Sequence, residues 1–375
     1  MVARSAERVA SPLLEGSAVK PLLSPFQIPS LDGLRAVSFM LVFLAHAGFD
    51  RVVPGGFGVT VFFFLSGYLI TTLMRKEAER IGHVSLKAFY LRRALRILPP
   101  FYLVLFAATA LVWTGALHEH LRFWPVAAQA LHFSNYWLAF RGWDGIVMGT
   151  GVYWSLAVEE HFYLLFPALY IGTRAMKMTG RQQAYVFWLL CAAVFAWRCV
   201  LIFGLHSNFD RTYLCSDTRI DSMLFGCALA VYGNPMIDAP ARPPSFRLWM
   251  GAALPLAILT LLVTFVVRGE TLRQTARYTL QGLALVPVFV CAVRWPESIL
   301  FRWLNARPVR FLGTLSYSLY LVHHVVLSVL ESDTRLPRLP RAAVGLALAV
   351  AVSWAIYTLV EKPCARIRRR LSAVE

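Results

Sequence analysis

Two ionisable side chains in the first apolar stretch, Arg35 and His46, are spaced to act together. Eleven residues at 100° each bring them to within about 20° of one another on a helix, about 16 Å apart along its axis. One helix face thus offers a cation near its start and an imidazole in its interior. A neutral imidazole, with an ordinary pKa of about 6.5, suits general base chemistry. A histidine bonded to a neighbour, with an arginine reaching for phosphate headgroups, gives the same spacing. Further along, Tyr153-Trp154-Ser155-Leu156-Ala157-Val158-Glu159-Glu160-His161 sets two carboxylates side by side. They point 100° apart on a helix and cannot share a partner. One is expected to pair with Arg198 or Arg219, the other to face a water-filled site. Asp217 and Asp221 stand four apart and share a face, with Arg219 pointing elsewhere and Asp217 suited to a helix N-terminus. A later stretch carries Tyr317, Tyr320, His323 and His324, its histidines at a depth similar to His46. Ser66-Gly67 reads as close helix packing. A serine nucleophile there would lack the strand-to-helix turn such residues use. No Cys/His or His/carboxylate spacing suggests a metal, and no glycine loop suggests a nucleotide phosphate.

The elements that must hold these residues are membrane helices. The 375-residue chain is 58% hydrophobic and 15% charged, with a mean hydropathy of +0.58. Soluble domains carry roughly 25% charged residues. Apolar runs near twenty residues recur, about the length that crosses the hydrocarbon as a helix, and continuous rather than alternating runs exclude a barrel. We expect an all-α integral membrane protein with about ten transmembrane helices, near 33–50, 57–74, 97–117, 153–172, 184–204, 218–233, 248–267, 278–294, 308–330 and 340–360. Ionisable residues inside such helices are costly, so each is a functional candidate.

The net charge of +17 is read through topology rather than nucleic acid. With both termini inside, inner segments hold 24 of the 37 Lys and Arg and outer loops 10. Residues 1–29 read as a cytoplasmic tail, 30–363 as the transmembrane domain and 364–375 as a basic cytoplasmic tail. Residues 121–140 are aromatic-rich and read as an interfacial or re-entrant segment. Residues 85–97 read as an amphipathic helix on the cytoplasmic face, and Pro99 and Pro100 are expected to open the third span. No internal repeat is present, and the six cysteines form no disulfide framework.

In order along the chain stand Leu31-Asp32-Gly33-Leu34-Arg35 with His46, Gly58 with Phe62-Phe63 and Ser66-Gly67-Tyr68, and Arg93 with Arg96 before Pro99. Then come Tyr153-Trp154-Ser155-Leu156 with Glu159-Glu160, Asp217-Thr218-Arg219 with Asp221, Ser316-Tyr317-Ser318-Leu319-Tyr320 with His323, and Glu361-Lys362-Pro363. By these motifs the chain resembles the membrane-bound acyltransferase-3 family, from Ile28 to about Pro363. It departs in having His161 where the family usually has Gln, and His324 as an extra neighbour of His323. The resemblance implies an O-acyltransferase of the inner membrane that moves an acyl group, most commonly acetyl, from cytoplasmic acyl-CoA to a hydroxyl of an envelope glycan, lipid-linked sugar or glycosylated metabolite. It implies catalytic roles for His46, Arg35, Glu159 and Glu160. Arg35, Arg93, Arg96, Ser66, Gly67 and Tyr68 are expected to bind the acyl-CoA. Trp154, Asp217, Arg219, Asp221 and His323 are expected to bind the acceptor. Membrane lipid is an implied partner, no metal is needed, and the esterase-like domain fused to some relatives would here be a separate protein. A lipid-linked glycan flippase is the rival reading, since intramembrane charges suit it equally.

Overall fold

A computed structural model describes residues 28–115, 117, 120–238 and 245–373. The expected tail at 1–29 lies almost wholly outside the described residues. Each of the ten expected spans coincides with a helix or with helices laid end to end. Among the described residues, seven helices are long and apolar enough to cross a membrane: Leu31–Phe49, Gly55–Ile81, Leu86–Trp113, Gly180–Gly204, Phe246–Val266, Arg307–Ser332 and Arg338–Arg368. We number the helices that carry the argument α1 (Leu31–Phe49), α2 (Gly55–Ile81), α3 (Leu86–Trp113), α4 (Phe123–Ala130), α5 (Ser134–Arg141), α6 (Trp154–Ala175), α7 (Gly180–Gly204), α8 (Asp221–Val231), α9 (Phe246–Val266), α10 (Arg277–Arg294), α11 (Arg307–Asp333) and α12 (Arg338–Ile356).

Three boundaries differ from expectation. The amphipathic stretch and the third span are one helix, α3, in which Pro99 and Pro100 stand inside rather than at the start. Prolines remove helix hydrogen bonds, and beside them the Ile97 carbonyl accepts the Tyr317 hydroxyl at 2.8 Å. The basic C-terminal segment continues the last span: α12 passes through a π turn, Tyr357–Glu361, into a helix over Lys362–Ala373.

The third difference decides where the site lies. The segment expected to be interfacial or re-entrant forms two short helices, α4 and α5, and the chain that follows it goes deep. Tyr153 donates to the Leu321 carbonyl at 3.0 Å, and Tyr320 donates to that of Val152 at 3.1 Å. Leu321 stands fourteen residues into α11, about 21 Å from its start. α6 therefore begins mid-bundle, and its Leu164 carbonyl already accepts the hydroxyl of Tyr90 from the first turns of α3. α8 is short for the same reason. Its eleven residues are buried throughout, and it crosses α2 where both backbones meet. A Cβ on Gly67 would lie 2.0 Å from the Met223 carbonyl, and one on Gly226 would lie 2.2 Å from that of Phe64. Small residues at such crossings let helices approach closely.

Candidate active site

α1 carries Arg35 one turn from its start and His46 in its last turns. Those last turns, Ala45–Phe49, are a π segment closed by Gly48 at φ 94°. Single π turns inside helices are frequent at functional sites. His46 keeps an exposed edge. Its Nδ1 lies 3.0 Å from Nε2 of His323 on α11, and its ring centroid lies 4.6 Å from that of His324. His323 is fully buried, with Phe39 edge-on at 5.7 Å. Its Nδ1 faces the carbonyls of Tyr320 at 2.8 Å and Leu319 at 3.1 Å.

These partners fix the protons. A carbonyl only accepts, so Nδ1 of His323 carries the hydrogen and its Nε2 presents a lone pair. That lone pair takes the Nδ1 hydrogen of His46, and Nε2 of His46 is left basic. The histidine that orients His46 is 277 residues away in sequence, and Tyr320 beside it is held by Ser155 at 2.6 Å.

Toward the start of α1 the site becomes ionic. Arg35 pairs with Asp32 at 3.5 Å and lies within electrostatic range of Arg96, Tyr163 and Glu159. Arg93 sits over the rings of Tyr163 and Phe89, at 5.5 and 5.9 Å. Glu159 accepts hydrogen bonds from Ser66 and Tyr163, each at 2.9 Å, and Glu160 lies within range of Arg93. Glu361, in the π turn after α12, accepts from Ser318 and faces Arg96 and Arg368. The sequence motifs assign Tyr163 and Glu361 no role. Tyr163 bonds Glu159 one turn back on its own helix and lies under Arg93 of α3, and Glu361 meets Ser318 of α11.

Arg35, Arg93, Arg96, Ser66, Glu159 and Glu160 thus come together at the basic end, with His46 and His323 above them. The expected pairing of one glutamate with Arg198 or Arg219 is not what the structure has. Because α6 starts mid-bundle, both glutamates sit deeper, beside Arg35 and Arg93. Gly67 and Tyr68 turn away from the arginines. Gly67 packs on α8, and the buried Tyr68 donates to Asn234 at 2.7 Å.

The acceptor set divides. Trp154 and Arg219 form an aromatic cage: the Arg219 guanidinium lies 3.9 Å from the Tyr278 ring centre and 5.2 to 5.6 Å from those of Tyr213, Phe63 and Trp154. Asp217 is held by Arg211 through bonds of 2.5 and 3.0 Å and by Trp197 at 2.7 Å. Asp221 meets Arg198 at 2.7 Å with both side chains fully buried. Arg198 also donates to the carbonyls of Thr275 and Thr218. Arg198 thus joins α7, α8 and the start of α10, with the buried Asp221 inside that joint.

Breaking a buried pair from one side leaves a bare charge, at a typical cost of about 3–5 kcal/mol. Arg198→Met and Asp221→Leu are each expected to lower the unfolding temperature of the detergent-solubilised protein sharply. The double variant is expected to recover most of the loss. Equal losses in the single and double variants, followed by thermal unfolding, would refute this account.

Among the described residues, seven helices are long and apolar enough to cross a membrane, and the bundle sets a paired histidine above a cluster of arginines. A family model described as an acyltransferase domain, acyltransferase-3, matches residues 28–358, and the chain belongs to that family. It is 30% identical over 352 residues to YrhL of Bacillus subtilis (strain 168), covering 90% of this chain and 54% of the relative. It is 29% identical over 350 residues to the peptidoglycan O-acetyltransferase OatA of Listeria monocytogenes, covering 90% and 55%. The chain thus spans about half the length of these curated relatives. No solved structure matches it.

Proposed function

We propose that the protein is an inner-membrane O-acetyltransferase that takes acetyl from cytoplasmic acetyl-CoA and places it on a hydroxyl of a cell-envelope glycan. Its similarity to a peptidoglycan O-acetyltransferase supports acetyl as the group and peptidoglycan as the first acceptor to test. The observation that carries the reading is the 3.0 Å bond from Nδ1 of His46 to Nε2 of His323, because it leaves Nε2 of His46 as an oriented base.

In this reading Arg35, Arg93 and Arg96 hold the CoA phosphates, for which guanidinium groups are well suited. The pantetheine arm rises along the Arg35–His46 face, a path of about 16 Å. The acceptor hydroxyl gives its proton to Nε2 of His46 as its oxygen bonds to the thioester carbonyl carbon. Collapse of the tetrahedral species breaks the carbon–sulfur bond, and the imidazolium returns the proton to the CoA thiolate. Glu159, fixed by Ser66 and Tyr163, and Glu160 balance the arginine charge. Trp154 and Arg219 line the acceptor side.

The test uses vesicles with the basic face outward, radiolabelled acetyl-CoA and peptidoglycan fragments inside. The expected result is consumption of acetyl-CoA with label on the glycan. Failure to bind or consume acetyl-CoA or any longer acyl-CoA sinks the proposal and favours a flippase.

A further inference from the structure

A groove of about 900 Å³ lies at the basic end, away from the histidines. It runs between the start of α7 and the pair α9 and α10, over the last turn of α8. Its body is apolar, with Trp188, Leu229, Trp249 and Val290 among the lining residues. α7 and α9 are peripheral: only 22% of the apolar window of each is buried inside the protein. In a bilayer the gap between them faces hydrocarbon. An apolar cleft there is filled by a chain rather than by water.

The mouth is cationic. Arg75, Arg181, Arg294 and Asp238 line it. Arg75 is answered by Asp238 at 2.5 Å and Glu79 at 2.8 Å. Arg294 donates to the Asp238 backbone carbonyl at 2.6 Å, and Arg181 donates to the Tyr185 hydroxyl one turn along its own helix. Neither Arg181 nor Arg294 has an ion pair with a carboxylate among the described residues. Two cationic donors above an apolar slot, with Trp249 alongside, match an anionic headgroup with its chain below. Basic pockets between membrane helices bind such headgroups. A zwitterionic lipid would set its own cation against the same arginines.

We propose that this groove binds an anionic glycerophospholipid, its phosphate against Arg181 and Arg294 and an acyl chain along Trp188, Leu229, Trp249 and Val290. The site is separate from the acetyl-transfer reading and stands or falls without it.

The full chain, purified in detergent, is mixed with phosphatidylglycerol and phosphatidylcholine of identical chains, and retained lipid is counted by native mass spectrometry. An arginine at a membrane surface contributes about 1 kcal/mol toward an anionic lipid, about fivefold in retention. Wild type is expected to prefer phosphatidylglycerol, and R181Q is expected to lose about fivefold of that preference. Among the described residues Arg181 bonds only Tyr185 of its own helix, so R181Q should elute as wild type. Val286→Trp, which fills the slot and leaves the charges, is expected to lose retained lipid. Equal retention of the two lipids by wild type, or wild-type behaviour in either variant, overturns the proposal. Displacement of phosphatidylglycerol by an equal amount of polyprenyl phosphate also overturns it, and gives the groove to a carrier lipid.

Discussion

His46→Ala is expected to lower acetyl transfer by about 10²–10⁴-fold at saturating acetyl-CoA, the range a positioned general base supplies. The effect should fall on kcat. Arg35, Arg93 and Arg96, which hold the donor in this reading, are fixed by contacts that do not involve His46: Asp32 for Arg35, Phe89 and Tyr163 for Arg93. KM for acetyl-CoA should therefore stay near the wild-type value. The substitution removes no helix contact that a small side chain forbids, since the ring keeps an exposed edge. The measurement is the initial rate of label transfer in vesicles carrying equal amounts of inserted protein. An H46A rate near wild type would remove the base from the mechanism. Rapid quenching tests a covalent route: label held on wild-type protein but not on H46A would make His46 the nucleophile.

Residue spacing places Arg35 and His46 on one face because both lie within a single element, a regular helix as far as the π segment that begins at Ala45. The elements themselves were legible from apolar runs for the same reason. Depth across elements was not. With both termini inside, the expected span near 153–172 starts at the outer surface and sets Glu159 and Glu160 within two turns of it. Whether residues 121–153 skim the surface or fold inward is decided by bonds such as Tyr153 to Leu321, which join positions 168 apart. The same ignorance of depth misassigned Arg198. Its partner proved to be Asp221, once α8 was seen to start mid-bundle beside α7. Tyr68 was grouped with Ser66 by motif alone, yet two residues along a helix turn a side chain by about 200°. Ser66 accordingly meets Glu159, while Tyr68 meets Asn234. The π turn at His46 has no compositional mark except Gly48.

His323→Leu is expected to lower kcat by about 10²-fold with little change in KM for acetyl-CoA, because the wrong tautomer of a catalytic histidine loses orders of magnitude in rate. His323 does not touch the reacting atoms in this scheme; it acts by accepting the Nδ1 hydrogen of His46. With leucine there, that hydrogen loses its acceptor, because position 323 is buried between Phe39 and Phe43. The imidazole is then free to turn, or to carry its proton on Nε2, where it cannot act as a base. His323→Gln separates this from simple loss of packing. Its side-chain carbonyl can accept from Nδ1, so H323Q is expected to stay within about tenfold of wild type, since a neutral hydrogen bond of about 1 kcal/mol is kept. A merely structural His323 predicts the reverse order, because leucine suits a buried apolar site better than an amide does. The rate order of H323Q above H323L, at matched expression and matched unfolding temperature, is therefore the discriminating result. If H323L equals wild type, Nε2 of His46 needs no orienting partner, and the arrangement of the two rings is packing alone.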